Sequence, residues 1–312
     1  MSSSTLHSEA AWHITLAALA CLALMAITST IGVAFLRGAS ADKNRAVNVR
    51  AVDLPDRMGL ISNYLDARLA VERRPFVLIL GDSQSYGIAQ REERTFSALM
   101  QRRLPDRAVV NLSVIDARIG DQLVLLQELE RRGHFAEIVL LTLNPAHFRQ
   151  PEIRRLTETK LSAWLFFTSP LKLARLGRIV DDAMADRDRS FEKRPVRHNQ
   201  YSGTAESERI IGEALITALV AAKRIARRVI LYVPPHAIAA YAADGFDLSD
   251  FHARTKATID RCRSVTDVTC LDLTQALPVE AFQDVVHFSF AGHQMMADLL
   301  LKEISPSPHG AR

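Results

Sequence analysis

The chain has 312 residues, which is enough for one large α/β domain with a small appendage. Apolar residues make up 48% of it and charged residues 24%, a globular composition that excludes a largely disordered chain. The formal net charge is only +4, and the basic residues neither form one stripe nor alternate with aromatic residues, so we predict no nucleic-acid binding.

The first distinct segment, residues 10–36, is apolar, and His13 is its only potentially charged side chain. A helix needs about 20 apolar residues to cross a bilayer, whereas a cleavable signal peptide has a shorter apolar stretch behind a basic start. We therefore predict a tail at residues 1–9 and a transmembrane anchor at residues 10–36. The alternative is removal of this segment at the cleavage-like Ala39-Ser40-Ala41.

Residues 37–55 are polar and mixed, and they predict a stalk between the anchor and a folded domain at residues 56–312. Arg37, Lys43, Arg45 and Arg50 all lie on the C-terminal side of the anchor. By the positive-inside rule, this charge distribution favours a cytoplasmic domain.

Five short, almost wholly apolar runs within residues 56–312 predict strands that are covered on both faces. These runs are 76–80, 108–112, 137–143, 228–233 and 268–273. Helix-period patterns lie between most of them and after the last, at 96–104, 121–131, 206–227 and 291–304. The alternation predicts an α/β fold, a three-layer α/β/α sandwich with a five-stranded parallel sheet and its ligand site at the carboxyl ends of the strands.

Residues 149–203 interrupt this alternation with an aromatic run and then a charged run. We predict an insertion that covers the site as a lid or lies against the membrane. The alternative is a plain helical hairpin with its own small core.

Gly81-Asp82-Ser83 directly follows the first strand, where a serine hydroxyl would lie near the backbone amides of a helix start. These residues are also common in ordinary turns and helix caps. Near the other end of the chain, Asp284 and His287 lie three residues apart before the last helix. That spacing lets a carboxylate orient an imidazole, and the imidazole could then take a proton from a serine.

Cys262 and Cys270 lie eight positions apart, between a helical pattern and a short strand. They would form a local disulfide in an oxidising compartment, or they are two separate core residues. Zinc needs more ligands than these cysteines offer, and no other ligand cluster is evident, so we predict no metal and no cofactor.

A Gly-Asp-Ser after the first strand, with Asp-x-x-His before the last helix, resembles the SGNH/GDSL hydrolase family. The resemblance implies Ser83 as nucleophile, His287 as its base and Asp284 as the group that orients the base. It also implies an oxyanion hole formed by the Ser83 amide, Gly120 and Asn144. The sequence departs from the family at Asn144, which Pro145 follows in place of Asp, and at Gln84, where an apolar residue is common.

The order of anchor, Gly-Asp-Ser, Asn-Pro turn and Asp-x-x-His resembles membrane-anchored SGNH-like proteins of alginate O-acetylation and lipoteichoic-acid D-alanylation. This implies a serine esterase or O-acyltransferase that acts on acyl groups of a cell-envelope polysaccharide or glycan, with a membrane acyltransferase as a possible partner. It places the domain in the periplasm, on the outer face of a bacterial inner membrane, against the charge rule. Gln84, His147 and His236 are candidate substrate contacts in this pocket. The alternatives are a non-catalytic binding or assembly protein and a cytoplasm-facing, lipase-like enzyme.

Overall fold

A computed structural model describes residues 47–48, 74–115, 117–149, 191, 201, 203–242 and 247–305. These residues all belong to one compact unit. The predicted anchor and tail, most of the stalk and nearly all of the predicted insertion lie outside the described residues. Within the described part, no helix is both long enough and apolar enough to cross a membrane.

A parallel sheet is the centre of this unit, and its strands lie in the order β1-β3-β2-β4-β5-β6. The strands are β1 (Val47–Asn48), β2 (Phe76–Leu80), β3 (Ala108–Asn111), β4 (Ala136–Thr142), β5 (Ala226–Val233) and β6 (Val268–Asp272). The five predicted strands are present, with ends that differ by no more than two residues. The two-residue β1 adds an edge strand from the segment predicted as a stalk.

Seven α-helices are described, and most of them connect successive strands. They are α1 (Ser83–Tyr86), α2 (Phe96–Arg103), α3 (Ile119–Arg131), α4 (Ala205–Ile225), α5 (Ala239–Ala242), α6 (Ser249–Arg263) and α7 (Phe290–Ile304). Short 3-10 turns occupy Glu92–Arg94, Pro145–Arg149 and Val279–Ala281. Each of the four predicted helices is present, with ends that shift by one or two residues.

Helices cover both faces of the sheet. On one face, Val77 and Ile79 of β2 pack in a core with residues of α2 and α7. The alternate residues Leu78 and Leu80 are also wholly buried, so the second face is covered too. On that side α3 packs against α4, and α4 against α6. The result is the predicted three-layer α/β/α sandwich, which explains why the strand sequences are continuously apolar.

Two covalent or steric features fix the C-terminal part of this unit. Cys262, near the end of α6, and Cys270, in β6, are joined by a disulfide with a Cα–Cα distance of 6.0 Å. Gly292, in the first turn of α7, lies so close to the 3-10 turn before it that a Cβ atom would overlap the carbonyl oxygen of Ala281. The loop that precedes α7 is therefore held tightly against the domain.

Candidate active site

The nucleophile turn, residues 81–87, follows β2 and contains the short helix α1. Asp82 caps this helix, because its side chain accepts the Gln84 N–H at 3.0 Å. At Gly81 a side chain would overlap the hydroxyls of Thr142 and Ser85. Gly87 ends the helix in the left-handed conformation, with φ of 79°. This turn places Ser83 at the carboxyl edge of the sheet, where its own amide is one of the unpaired N–H groups of a helix start.

The structure brings the three predicted triad residues together across 204 positions of sequence. His287 Nε2 lies 3.0 Å from Ser83 Oγ, and His287 Nδ1 lies 2.9 Å from Asp284 Oδ2. The side chains of His287 and Asp284 are 26% and 14% exposed. This geometry is what an imidazole needs to take the serine proton while a carboxylate holds its ring.

Asp284 is kept ionised by the acid–base loop, residues 283–289, in which it lies. Its Oδ1 accepts the N–H groups of Val286 at 3.0 Å and His287 at 2.8 Å. Burial alone would raise the pKa of Asp284, but the bonds from the His287 ring and from these two amides outweigh burial and hold its pKa far below the ordinary value. An ionised Asp284 favours the tautomer with hydrogen on Nδ1, which leaves Nε2 to accept the proton of Ser83.

Gln84, predicted to contact substrate, joins three loops. The residue is only 2% exposed, and its Nε2 donates to Pro235 O at 2.6 Å and to Val286 O at 2.8 Å. Both amide hydrogens are therefore used within the protein. Gln84 ties the nucleophile turn to the loop after β5 and to the acid–base loop, which fixes His287 relative to Ser83.

A second chain of polar residues, hereafter the buried polar chain, consists of Asp82, Asn144 and His236. Asn144 Nδ2 donates to Asp82 Oδ2 at 3.1 Å, and its Oδ1 accepts the Ala146 N–H at 3.0 Å. These two bonds fix the orientation of the amide, because reversing it would set an oxygen against the carboxylate. Asn144 is 5% exposed. The sequence predicts Asn144 as an oxyanion donor, and the structure shows which residues hold it.

His236, also predicted to contact substrate, lies behind Asn144 and is 2% exposed. Its Nε2 is 3.2 Å from Asn144 Oδ1 and its Nδ1 is 2.9 Å from Pro234 O. The ring packs edge-on against Phe251 and Tyr201. Burial lowers the pKa of His236 to about 4, although its bond to Pro234 and the charge of Asp82 oppose this. A neutral ring has one N–H and can donate to only one of the two oxygens.

His147, the third predicted substrate contact, lies on the 3-10 turn after β4. Its Nε2 is 3.6 Å from Asp82 Oδ2, and its side chain is 10% exposed. Asp82 is therefore the common partner of Gln84, Asn144 and His147. The sequence predicts no role for Asp82 beyond its place in Gly-Asp-Ser, and its position directly before Ser83 is the one signal that points to it.

Gly120 is the second residue of α3, the helix that follows β3. The segment after β3 runs beside the nucleophile turn, since the Val114 N–H donates to Gly81 O at 3.0 Å. Gln122 Nε2 in the same helix turn donates to Thr142 O at the end of β4. Gly120 thus lies at the same edge of the sheet as Ser83, and its amide, in the first turn of a helix, has no acceptor within that helix. Its role as an oxyanion donor stays a prediction.

Among the described residues, no group of three or more His, Cys, Asp or Glu side chains is arranged to hold a metal ion.

No family model matches the chain, and no curated protein matches it. Similar solved structures include a member of the lipolytic protein G-D-S-L family from Veillonella parvula, at 12% identity and a TM-score of 0.45, covering 74% of this chain and 99% of that chain. An acetylxylan esterase from Geobacillus stearothermophilus is 15% identical with a TM-score of 0.45, and the match covers 74% of this chain and 94% of that chain. A family two carbohydrate esterase from Clostridium thermocellum is 13% identical with a TM-score of 0.43, and the match covers 74% of this chain and 63% of that chain. A likeness this distant does not by itself assign an activity.

Proposed function

We propose that this protein is a serine esterase or O-acyltransferase that works through a covalent acyl ester on Ser83. The observation that carries the proposal is the continuous line of hydrogen bonds from Ser83 Oγ to His287 Nε2 and from His287 Nδ1 to Asp284, at 3.0 and 2.9 Å. A serine without a base is a poor nucleophile, and this line supplies both the base and the group that orients it.

In the first half of the reaction, Ser83 Oγ attacks the carbonyl carbon of an ester while His287 Nε2 takes the hydroxyl proton. The carbonyl oxygen becomes an oxyanion, and its donors in this proposal are the amides of Ser83 and Gly120 and the second N–H of Asn144 Nδ2. The bond from the carbonyl carbon to the alcohol oxygen then breaks, and His287 gives its proton to the departing alcohol.

In the second half, water or an acceptor hydroxyl attacks the acyl carbon, and His287 takes the proton of the attacking group. The bond from Ser83 Oγ to the acyl carbon breaks, and His287 returns the proton to Ser83. With water the net reaction is ester hydrolysis, and with a sugar hydroxyl it is acyl transfer. Ionised Asp284 stabilises the imidazolium in both halves.

The substrate class we propose is an acylated polysaccharide or glycan of the cell envelope. The resemblance of the Gly-Asp-Ser and Asp-x-x-His segments to SGNH/GDSL hydrolases supports this class, as does the apolar segment 10–36 as an inner-membrane anchor. The disulfide between Cys262 and Cys270 supports a periplasmic domain, because disulfides persist in oxidising compartments. A membrane acyltransferase is the partner that the same resemblance suggests.

The test is labelling of the full-length chain with a fluorophosphonate, which reacts with activated serines, read by intact mass. We expect one adduct on the wild type and none on Ser83→Ala or His287→Ala. Ser85→Ala is the matched control, because Ser85 lies in the same helix turn but bonds to the Tyr232 hydroxyl, and it should label like the wild type. A folded wild type that never labels would favour the non-catalytic binding or assembly role.

A further inference from the structure

The turns that lead into the strands form a surface at the end of the sheet opposite Ser83, hereafter the amino edge. It comprises the last four residues of each long helix, the turn that follows and the first three residues of the next strand. The described residues that meet this definition are 74–78, 100–110, 128–138, 222–228, 260–270 and 301–305.

Hydrogen bonds join these turns into one continuous surface. They link the turn before β2 to the turn before β3, that turn to the start of β4, and the end of α4 both to α3 and to the turn before β6. The bonds are Arg74 Nη1 to Pro105 O, Arg107 Nε to Glu137 Oε2, Arg224 Nε to Glu130 Oε1 and Lys223 Nζ to Thr266 O, at 2.6–2.9 Å.

Basic residues outnumber acidic residues at the amino edge. It holds 13 Arg and Lys against 7 Asp and Glu, whereas the whole chain holds 39 against 35. At the carboxyl edge, we counted the described residues from the last residue of each strand through the first four residues of the next long helix. There the balance is reversed, with 3 Arg and 11 Asp and Glu. The fold thus gathers at one edge basic residues that are scattered along the sequence.

Several basic residues of the amino edge have no ion pair and no side-chain hydrogen bond within the described part of the chain, among them Arg227, Arg228 and Arg263. Basic residues are favourable near the carbonyl groups that end a helix, which accounts for Arg263 in the last turn of α6. That effect falls off beyond the last turn. It does not account for Arg227 and Arg228, which lie past the end of α4, in β5.

An exposed aromatic residue lies among these charges. Phe135 is 54% exposed, more than any other large apolar residue in the part of the chain that the structure describes. It stands beside the start of β5, because Ala136 pairs with Ala226, and Arg227 follows Ala226 directly. Basic side chains around an exposed apolar side chain are typical of surfaces that bind the headgroup region of a membrane.

The direction of β1 relates this edge to the N-terminal part of the chain. Because β1 is parallel to β3, the chain enters β1 from the side of the amino edge. Ten residues separate the apolar segment 10–36 from Val47, and ten residues span at most about 35 Å. Under the proposed function this segment is the membrane anchor, so such a tether keeps the amino edge within reach of the bilayer surface.

We infer that the amino edge binds the anionic phospholipid surface of the membrane, so that the candidate active site opens away from the bilayer. A nucleic-acid site would need several aromatic residues for stacking, and this edge exposes one. The strands β4 and β5 have 7 and 8 residues, so at about 3.3 Å per residue they set Ser83 roughly 25 Å from the headgroups.

This orientation narrows the substrate class. An ester of a membrane lipid would lie on the wrong side of the domain, whereas an ester on a glycan that extends from the membrane would reach Ser83. That consequence rests on the proposed function, but the binding surface itself does not depend on the chemistry of Ser83.

The test uses the full-length chain with Cys21→Ser, reconstituted in phosphatidylcholine nanodiscs with or without 30% phosphatidylglycerol and with a headgroup nitroxide lipid as quencher. A fluorophore is attached at Asp106→Cys, an exposed position of the amino edge, or at Ala276→Cys, an exposed position of the carboxyl edge. We expect quenching at position 106 only with phosphatidylglycerol, and none at position 276. Quenching should disappear between 0.1 and 1 M NaCl, because the Debye length falls from about 10 Å to about 3 Å.

The test variant is Arg227→Gln with Arg228→Gln. Each basic residue near an anionic surface contributes about fivefold to binding, so the ratio of docked to undocked domain should fall about 20-fold. The matched control is Arg209→Gln with Lys256→Gln, which removes the same charge from exposed positions of α4 and α6 outside the amino edge. The control should be quenched like the parent chain.

Quenching at position 106 that is absent, or equal in the two lipid mixtures, would overturn the inference, as would stronger quenching at position 276. Binding of a single-stranded oligonucleotide that depends on Arg227 and Arg228, without any effect of phosphatidylglycerol, would assign the edge to nucleic acid instead. If the chain does not insert into nanodiscs, salt-dependent flotation with phosphatidylglycerol vesicles supports the surface and its absence overturns it. Fluorophosphonate labelling of Ser83 is independent of all these results, so either proposal can fail alone.

Discussion

Two chains of polar residues begin at carboxylates near Ser83, and they differ in exposure. Asp284 and His287 are partly exposed, and their chain ends on the hydroxyl of Ser83. Asp82, Asn144 and His236 are buried, and their bonds end on backbone atoms and on one another. A base that exchanges protons with substrate has to be reachable, whereas a dipole that stabilises an oxyanion has to stay fixed. The contrast fits the proposed mechanism, in which the first chain of polar residues transfers protons and the second holds a fixed orientation.

The largest expected effect comes from the partly exposed chain. His287→Ala removes the base, and we expect kcat/KM for a p-nitrophenyl ester to fall on the order of 10³-fold or more. His134→Ala is the matched control, since it removes a histidine that follows α3 at the opposite end of β4. Initial rates at pH 8 would measure both variants. A fall of less than tenfold in His287→Ala would contradict the assignment of this residue as base.

Asn144→Ala tests the buried polar chain at the residue that we place next to the oxyanion. Removing one oxyanion donor lowers kcat by about 10²–10³-fold in a well-studied protease, and we expect a fall in that range. Because the bond strengthens only in the transition state, KM should change little. If steady-state kinetics show a raised KM with unchanged kcat, Asn144 is a substrate contact and not an oxyanion donor.

His236→Phe tests whether the end of the buried polar chain acts only through Asn144. It keeps the ring that packs on Phe251 and removes the contact to Asn144. We expect kcat to fall about tenfold through a displaced amide, while His236→Gln, which retains an N–H donor, should recover most of the loss. Equal loss in the two variants, or a loss explained by a lower melting temperature, would argue for a purely structural histidine.

The smallest effect is the acid sensitivity of the fold, and the two chains of polar residues should show it in different pH ranges. The folded-state pKa of His236 is about 4 against an ordinary 6.5, so the unfolded chain takes up this proton first and stability falls as the pH drops from 6.5 toward 4. The loss by pH 5 is on the order of 2 kcal/mol. In urea unfolding, His236→Phe should lose less stability than the wild type between pH 7 and pH 5, because the variant has no imidazole to protonate at this position.

Asp284 affects the stability of the fold at lower pH than His236 does. Its folded-state pKa lies far below the ordinary value of 3.8, so the ionised carboxylate stabilises the fold fully above that value, and the contribution is lost as the pH falls through it toward the folded-state pKa. Asp284→Asn should therefore be less stable than wild type at pH 7, and the two should converge below about pH 4. A constant difference from pH 7 to pH 3, measured by urea unfolding, would contradict this role for the carboxylate.

Much of the fold follows from local patterns. The five longer strands are apolar runs in β-favouring residues, and the helices between them have clear 3.6-residue periodicity, so both were predictable to within two residues. The strand β1 was not predictable, because Val47 and Asn48 are too few to form a pattern and take their conformation from pairing with β3. The serine, the aspartate and the histidine were found because each lies in a recognisable short segment.

The buried polar chain could not be assembled from the sequence. Asp82, Asn144 and His236 belong to three different loops, and only the order of the strands brings β2, β4 and β5 side by side so that these loops meet. The same holds for Gln84, whose two acceptors lie 151 and 202 positions away. A polar residue next to a catalytic one suggests a substrate contact from sequence, and only the packed structure shows that its hydrogens are already used.

The bonds of Gln84 to Pro235 and Val286 also bear on the stage of folding at which the site around Ser83 is complete. During synthesis the segment with Ser83 emerges roughly 200 residues before the segment with Asp284 and His287. Contacts between distant segments form late. Under the proposed function, Ser83 would therefore stay an ordinary, unreactive alcohol until α7 has docked and Gln84 has formed its two bonds. A nascent or partly unfolded chain would then not attack esters around it, and reactivity toward a fluorophosphonate would report completion of folding.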